Sequence, residues 1–150
     1  MKLSTKGRYA ARAMMELALV YGTGPMRLSE IAEKQEISVR YLERMMNAMV
    51  TAGLVRSTRG QHGGFTLAKS PNTIRLSQVV QAAEGPLSIV ECVDNPELCG
   101  RYDICVTREI WEKLKGAIDD VLDSITLQDM VEMKQNRPGL PKNKRLNARG

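Results

Sequence analysis

The sequence predicts a mainly α-helical fold with one small β-hairpin and a long C-terminal helix, on three observations. Apolar residues recur at helical spacing three times before residue 53. A glycine-dense loop then joins two short β-prone runs. Nearer the C-terminus an apolar seam steps by 3, 4, 3 and 4 residues.

The first helix starts at Ser4 or Thr5, either of which can cap it. Its inner face is Ala10, Ala13, Met14, Leu17, Ala18 and Tyr21, and Gly22, Gly24 and Pro25 end it. Leu28, Ile31 and Ala32 mark a second helix running to about Gln35, and Ile37-Ser38 turns the chain into a third. That helix has Ser38 as its N-cap, Leu42, Met45, Met46, Met49 and Val50 as its inner face, and Gly53 as its stop. Leu54 to Thr58, the loop RGQHGG and Phe65 to Ala68 then read as a hairpin. Helix, helix-turn-helix, hairpin is the order of a winged helix-turn-helix.

A fourth helix, Leu76 to Glu84, stops at Gly85-Pro86, and residues 86–105 read as a loop holding all three cysteines. Beyond it, Trp111, Leu114, Ile118, Val121 and Ile125 form the a/d seam of a helix of about 18 residues, roughly 27 Å long. So long a seam exceeds what a small domain can bury alone, and a second copy is its natural partner, which makes this a dimerisation helix. Thr126 and Asp129 offer a capping box for a short last helix to about Met133. From Lys134 the chain carries two prolines and no acid, the composition of a disordered tail.

Charge divides along the same lines. Residues 1–75 hold 12 Lys and Arg against 5 Asp and Glu, residues 76–133 hold 4 against 12, and residues 134–150 hold 6 against none. A basic first part suits a phosphate backbone and the acidic part repels one. The expected organisation is therefore a winged helix-turn-helix DNA-binding domain over 1–75 and a connecting helix with a cysteine-bearing sensor loop over 76–106. A dimerisation helix and short last helix follow over 107–133, then a basic tail over 134–150. No apolar stretch is long enough to span a membrane and the N-terminus lacks a signal-type apolar run, so a cytoplasmic protein is expected. One histidine, no nucleophile elbow and no phosphate loop leave no catalytic constellation, and an enzyme is not expected.

The third helix presents Arg40, Glu43, Arg44 and Asn47 outward, with Ser38 and Tyr41 at its N-terminal end. Arginine reads guanine, glutamate accepts from cytosine and hydroxyls bond phosphates, so these are candidate DNA contacts; a solvated helix face is the plainer alternative. In the loop, Gly60, Gly63 and Gly64 let backbone approach a groove, Arg59 suits a narrow minor groove, and His62 is a candidate phosphate or groove contact. Lys2, Lys6 and Arg8 would add phosphate contacts. Cys92, Cys99 and Cys105 are spaced C-x6-C-x5-C, wider than a zinc knuckle but within reach of an iron–sulfur cluster; reactive thiols or inert cysteines are the alternatives.

The opening MKLSTKGRYAARAM, the run YLERMMNAMVTAGLVRSTRGQHGGF, the cysteine spacing, CVTREIW and DSITLQDM together resemble the IscR/NsrR/CymR family of bacterial winged-helix regulators, over residues 1 to about 133. The resemblance implies a homodimer on a two-fold operator in double-stranded DNA, with Cys92, Cys99 and Cys105 matching the ligands of an iron–sulfur cluster that tunes DNA affinity. It favours [2Fe-2S] over [4Fe-4S]. The fourth ligand departs from the family pattern: a histidine three residues after the last cysteine is replaced by Arg108, and an acidic residue of the first helix by Arg8. A guanidinium does not ligate iron at neutral pH, which leaves Asp103, Glu109, an external thiol or nothing. The family also includes cluster-free repressors of cysteine metabolism, controlled by thiol oxidation or a partner protein, and the chain's start and DSITLQDM resemble that branch at least as well.

Overall fold

The computed structural model describes residues 3–138; Lys2 and residues 139–150, most of the basic tail, lie outside them. Helix α1 spans Thr5–Leu19, α2 Leu28–Gln35 and α3 Val39–Thr51, followed by strands β1 (Val55–Thr58) and β2 (Gly64–Leu67) and helix α4 (Leu76–Glu84). A one-turn helix α5 (Glu91–Asp94), the long α6 (Val106–Ser124) and α7 (Leu127–Gln135) complete the order. This is a winged helix-turn-helix with a two-stranded wing.

Local chemistry sets the boundaries. Ser4 caps α1 by accepting from the Lys6 amide, and Ser38 caps α3 by accepting from the Tyr41 amide. Glu36 takes a left-handed conformation (φ 53°) to end α2, and the Ile37 amide bonds back to the Ala32 carbonyl, making the tight turn into α3. The strands pair antiparallel with Val55 opposite Leu67 and Thr58 opposite Gly64. Met26 extends this sheet by one bridge, exchanging both backbone hydrogen bonds with Phe65.

One core joins these elements. Met14, Leu17, Ile31, Leu42, Met46, Met49, Leu54, Ile74, Val79 and Leu127 are all essentially inaccessible to solvent, so α4 and α7 bury their apolar faces in the same interior as α1 to α3. Two backbone bonds fix the return of α7: the Leu76 amide to the Ile125 carbonyl and the Leu127 amide to the Ile74 carbonyl, at 2.8 and 2.9 Å. Thr126 and Asp129 complete their capping box.

Five sequence expectations change. Helix α7 runs on to Gln135, so Lys134, read as the start of a disordered tail, is helical and held by its ion pair with the buried Glu16. Helix α1 ends at Leu19, and Tyr21 is exposed, because the chain must reverse through Gly22 and Gly24 to bring Met26 beside Phe65. Val50 is exposed rather than part of the inner face of α3, since one residue on from the fully buried Met49 it is rotated about 100° to the edge of that face. The segment 86–105 is not a plain loop: α5 and two 3-10 turns, Pro96–Leu98 and Tyr102–Ile104, fold it locally. Helix α6 ends at Ser124, so Ile125 sits just past it, where its carbonyl is taken by Leu76. Among the described residues no helix is long and apolar enough to cross a membrane.

Candidate DNA interface and cysteine segment

Helix α3 buries Leu42, Met45, Met46 and Met49, which turns Arg40, Glu43, Arg44 and Asn47 outward, all exposed. Tyr41 is different. It is half-buried, with its ring edge-to-face on Tyr9 of α1 at 5.9 Å, and Arg12 lies over the other ring at 5.1 Å. The Tyr41 ring thus anchors the start of α3 against α1, and of this side chain only a part is free to face a ligand.

The wing is shaped by close backbone approach. A Cβ at Gly63 would fall 2.2 Å from the Thr58 carbonyl oxygen, and one at Gly64 would fall 2.4 Å from that of Met26. Arg59, Gly60 and His62 are exposed at the tip. Arg27, at the N-cap of α2, donates to the Gln61 carbonyl at 2.7 Å and so ties the tip to the helix-turn-helix. Sequence reasoning missed Arg27, because neither periodicity nor motif marks a cation that acts across 34 residues.

Lys6 and Arg8 are exposed in the first turns of α1. That turn is held from a distance: the Glu84 carboxylate, at the end of α4, accepts from the Gly7 amide at 2.9 Å and from the Ser4 hydroxyl. A second carboxylate, Glu16, is fully buried; it accepts from Gln35 of α2 and pairs with Lys34 at 3.8 Å and with Lys134 of α7 at 3.3 Å. Arg12 completes this cluster by donating to the Gln35 side chain and carbonyl.

Cys92, Cys99 and Cys105 are free thiols, each half-buried. Cys105 sits at the N-cap of α6, 3.2 Å from the Thr107 hydroxyl. Hydrogen bonding from that hydroxyl, then from the Arg108 backbone amide, lowers the Cys105 pKa below the usual thiol value. Arg108 is engaged away from the cysteines. It stacks over Tyr102 at 4.0 Å, donates to the Tyr102 carbonyl at 2.8 Å and pairs with Glu112. Three thiols on one surface segment are the donor set an iron–sulfur cluster takes. As the segment stands they are not gathered, and among the described residues no group of three or more His, Cys, Asp or Glu could hold a metal ion.

On α6, no residue is buried. Trp111 and Val121 of the predicted seam are exposed, while Leu114, Ile118 and Ile125 are partly covered, and Ile104, Val106 and Ile110 add exposed apolar surface that the seam pattern did not include.

The Rrf2 family, described as iron-dependent transcriptional regulators, matches residues 3–133. The chain is 40% identical over 130 residues to the HTH-type transcriptional regulator CymR of Bacillus subtilis, covering 87% of this chain and 89% of that one. It is 39% identical over 135 residues to the regulator IscR of Pectobacterium carotovorum, covering 90% and 82%. Among solved structures, CymR (YrzC), the global cysteine regulator of B. subtilis, superposes with a TM-score of 0.76 at 38% identity, covering 89% of this chain and 98% of that one. T. potens IscR superposes at 0.74 and 40%, covering 89% and 88%.

Proposed function

Because the chain belongs to the Rrf2 family of iron-dependent transcriptional regulators, we propose that two copies of it bind a two-fold operator in double-stranded DNA and that the cysteine segment tunes the affinity. The observation that carries the DNA reading is the exposed row Arg40, Glu43, Arg44 and Asn47, on a helix capped by Ser38 and flanked by a pinned glycine wing. Such a helix enters a major groove with its first turns, while Arg59 and His62 reach the adjacent backbone or minor groove. Lys2, Lys6 and Arg8 add phosphate charge. The exposed apolar side of α6 supports pairing of two copies, since Trp111 and Val121 gain by leaving water only against another surface.

Selection of duplexes from a random-sequence pool tests the reading. A two-fold motif with half-sites about one or two helical turns apart, bound by two chains, is expected; no enrichment over the starting pool sinks it.

For the signal, Cys92, Cys99 and Cys105 are the residues that would hold an iron–sulfur cluster, [2Fe-2S] ahead of [4Fe-4S], which when bound supplies an iron- and redox-responsive link across the segment. The cluster-free reading has its own support in the Thr107 hydroxyl at the Cys105 sulfur, which lowers the thiol's pKa and favours thiolate oxidation. An absorbance spectrum after anaerobic purification separates them. Charge-transfer bands establish the cluster. Colourless protein after iron and sulfide reconstitution, with a sulfenic acid at Cys105 under mild peroxide, establishes the thiol sensor.

A further inference from the structure

Glu84 is the last residue of α4, where a negative charge opposes that helix's own dipole. Its carboxylate is offset by a different helix: it accepts from the Gly7 amide and the Ser4 hydroxyl at the N-terminus of α1, where the dipole favours an anion. Ser4 in turn accepts from the Lys6 amide at 3.1 Å, so one carboxylate orders the whole first turn. The approach requires glycine at position 7, since a Cβ there would lie 2.6 Å from the same Glu84 oxygen. Immediately after Glu84 the chain turns at Gly85 (φ 81°) into the segment that carries the three cysteines. Lys6 and Arg8, two of the proposed phosphate contacts, stand on the turn that Glu84 holds.

We infer that Glu84 is a positioning residue that ties the first turn of α1 to the start of the cysteine segment, so that a change in that segment moves Lys6 and Arg8. The inference rests on the reading of the segment as the input to DNA binding. It names the contact through which that input travels.

Full-length protein with free thiols and the same protein alkylated by iodoacetamide give two states of the segment. Amide exchange by NMR and affinity for a mixed-sequence duplex of about 30 base pairs, at several salt concentrations, are read in both states. In the wild type, alkylation speeds exchange at Gly7 and Lys6 several-fold, leaves the Leu17 amide protected, and makes the salt slope shallower by about one. Glu84→Ala exchanges fast at Gly7 in both states and shows no further response to alkylation. Glu84→Gln, which keeps an acceptor oxygen, restores part of the protection and guards against an Ala variant that fails to fold. Gly7 exchange unmoved by alkylation in the wild type overturns the inference, as does an equal response in Glu84→Ala. Exchange that responds as expected while duplex affinity stays constant upholds the tie and removes the sensing role of the segment instead.

Discussion

Cys105 and Asp129 show how one neighbour sets a side chain's chemistry. The Thr107 hydroxyl beside Cys105 favours its thiolate, so Thr107→Val should slow alkylation of Cys105 near neutral pH and lose its effect at alkaline pH, where the thiolate forms regardless. Peptide mass spectrometry over a pH series checks this. Asp129 is held below the usual carboxylate range, first by the Thr126 amide at 2.8 Å and then by the Thr126 side chain. A folded-state pKa below the unfolded one gives stability that is full above the ordinary Asp range and lost as pH falls through the lower, folded value. Asp129→Asn should therefore lower the urea midpoint by a constant amount between about pH 5 and pH 7, and the gap should close as pH drops below about 4. Glu16 is the contrasting case. It is buried in a cluster of Gln35, Lys34 and Lys134, and it was not singled out from the sequence.

Elements follow from how backbone is allowed to approach backbone. The wing is a two-stranded hairpin that would be marginal alone, and it is secured by the Met26–Phe65 bridge and by Arg27 on the Gln61 carbonyl. Gly64, with φ 154° and no room for a Cβ beside Met26, is the residue on which that bridge depends. Gly64→Ala should destabilise by about 1–3 kcal/mol in urea denaturation, from backbone strain. Arg59→Ala leaves the hairpin intact and should weaken operator binding by about 1–3 kcal/mol with little change in midpoint. Unchanged affinity in a titration would remove the wing from the interface.

At the scale of the whole molecule, α7 matters more than its nine residues suggest. Leu127 is fully buried and Val131 nearly so, in the core shared by α1, α3 and α4. Leu127→Ala should cost about 2–5 kcal/mol. The loss should appear in one transition, with far-ultraviolet circular dichroism and Trp111 fluorescence coinciding. Separate transitions would mean that α6 unfolds apart from the core. In the other direction, α6 has no buried residue of its own, so the chain carries an apolar surface that one copy leaves unfilled.

Local pattern was enough for α1 to α4, α6, α7, the wing and the outward row on α3, because periodicity, Ile37-Ser38 and the glycines act within a few residues of where they stand, but it missed the short turns of helix between residues 86 and 105. The cysteines and Lys6, Arg8 and Arg59 were equally legible, since residue type and spacing alone name a thiol set and a basic face. What the sequence could not hold is which distant groups meet. Only the tertiary structure decided that Glu84 accepts from the first turn of α1, that Arg27 pins the wing, and that α7 closes the core. Each of these is a contact across tens of residues, set by how packed helices bring their ends together, and no local propensity encodes it.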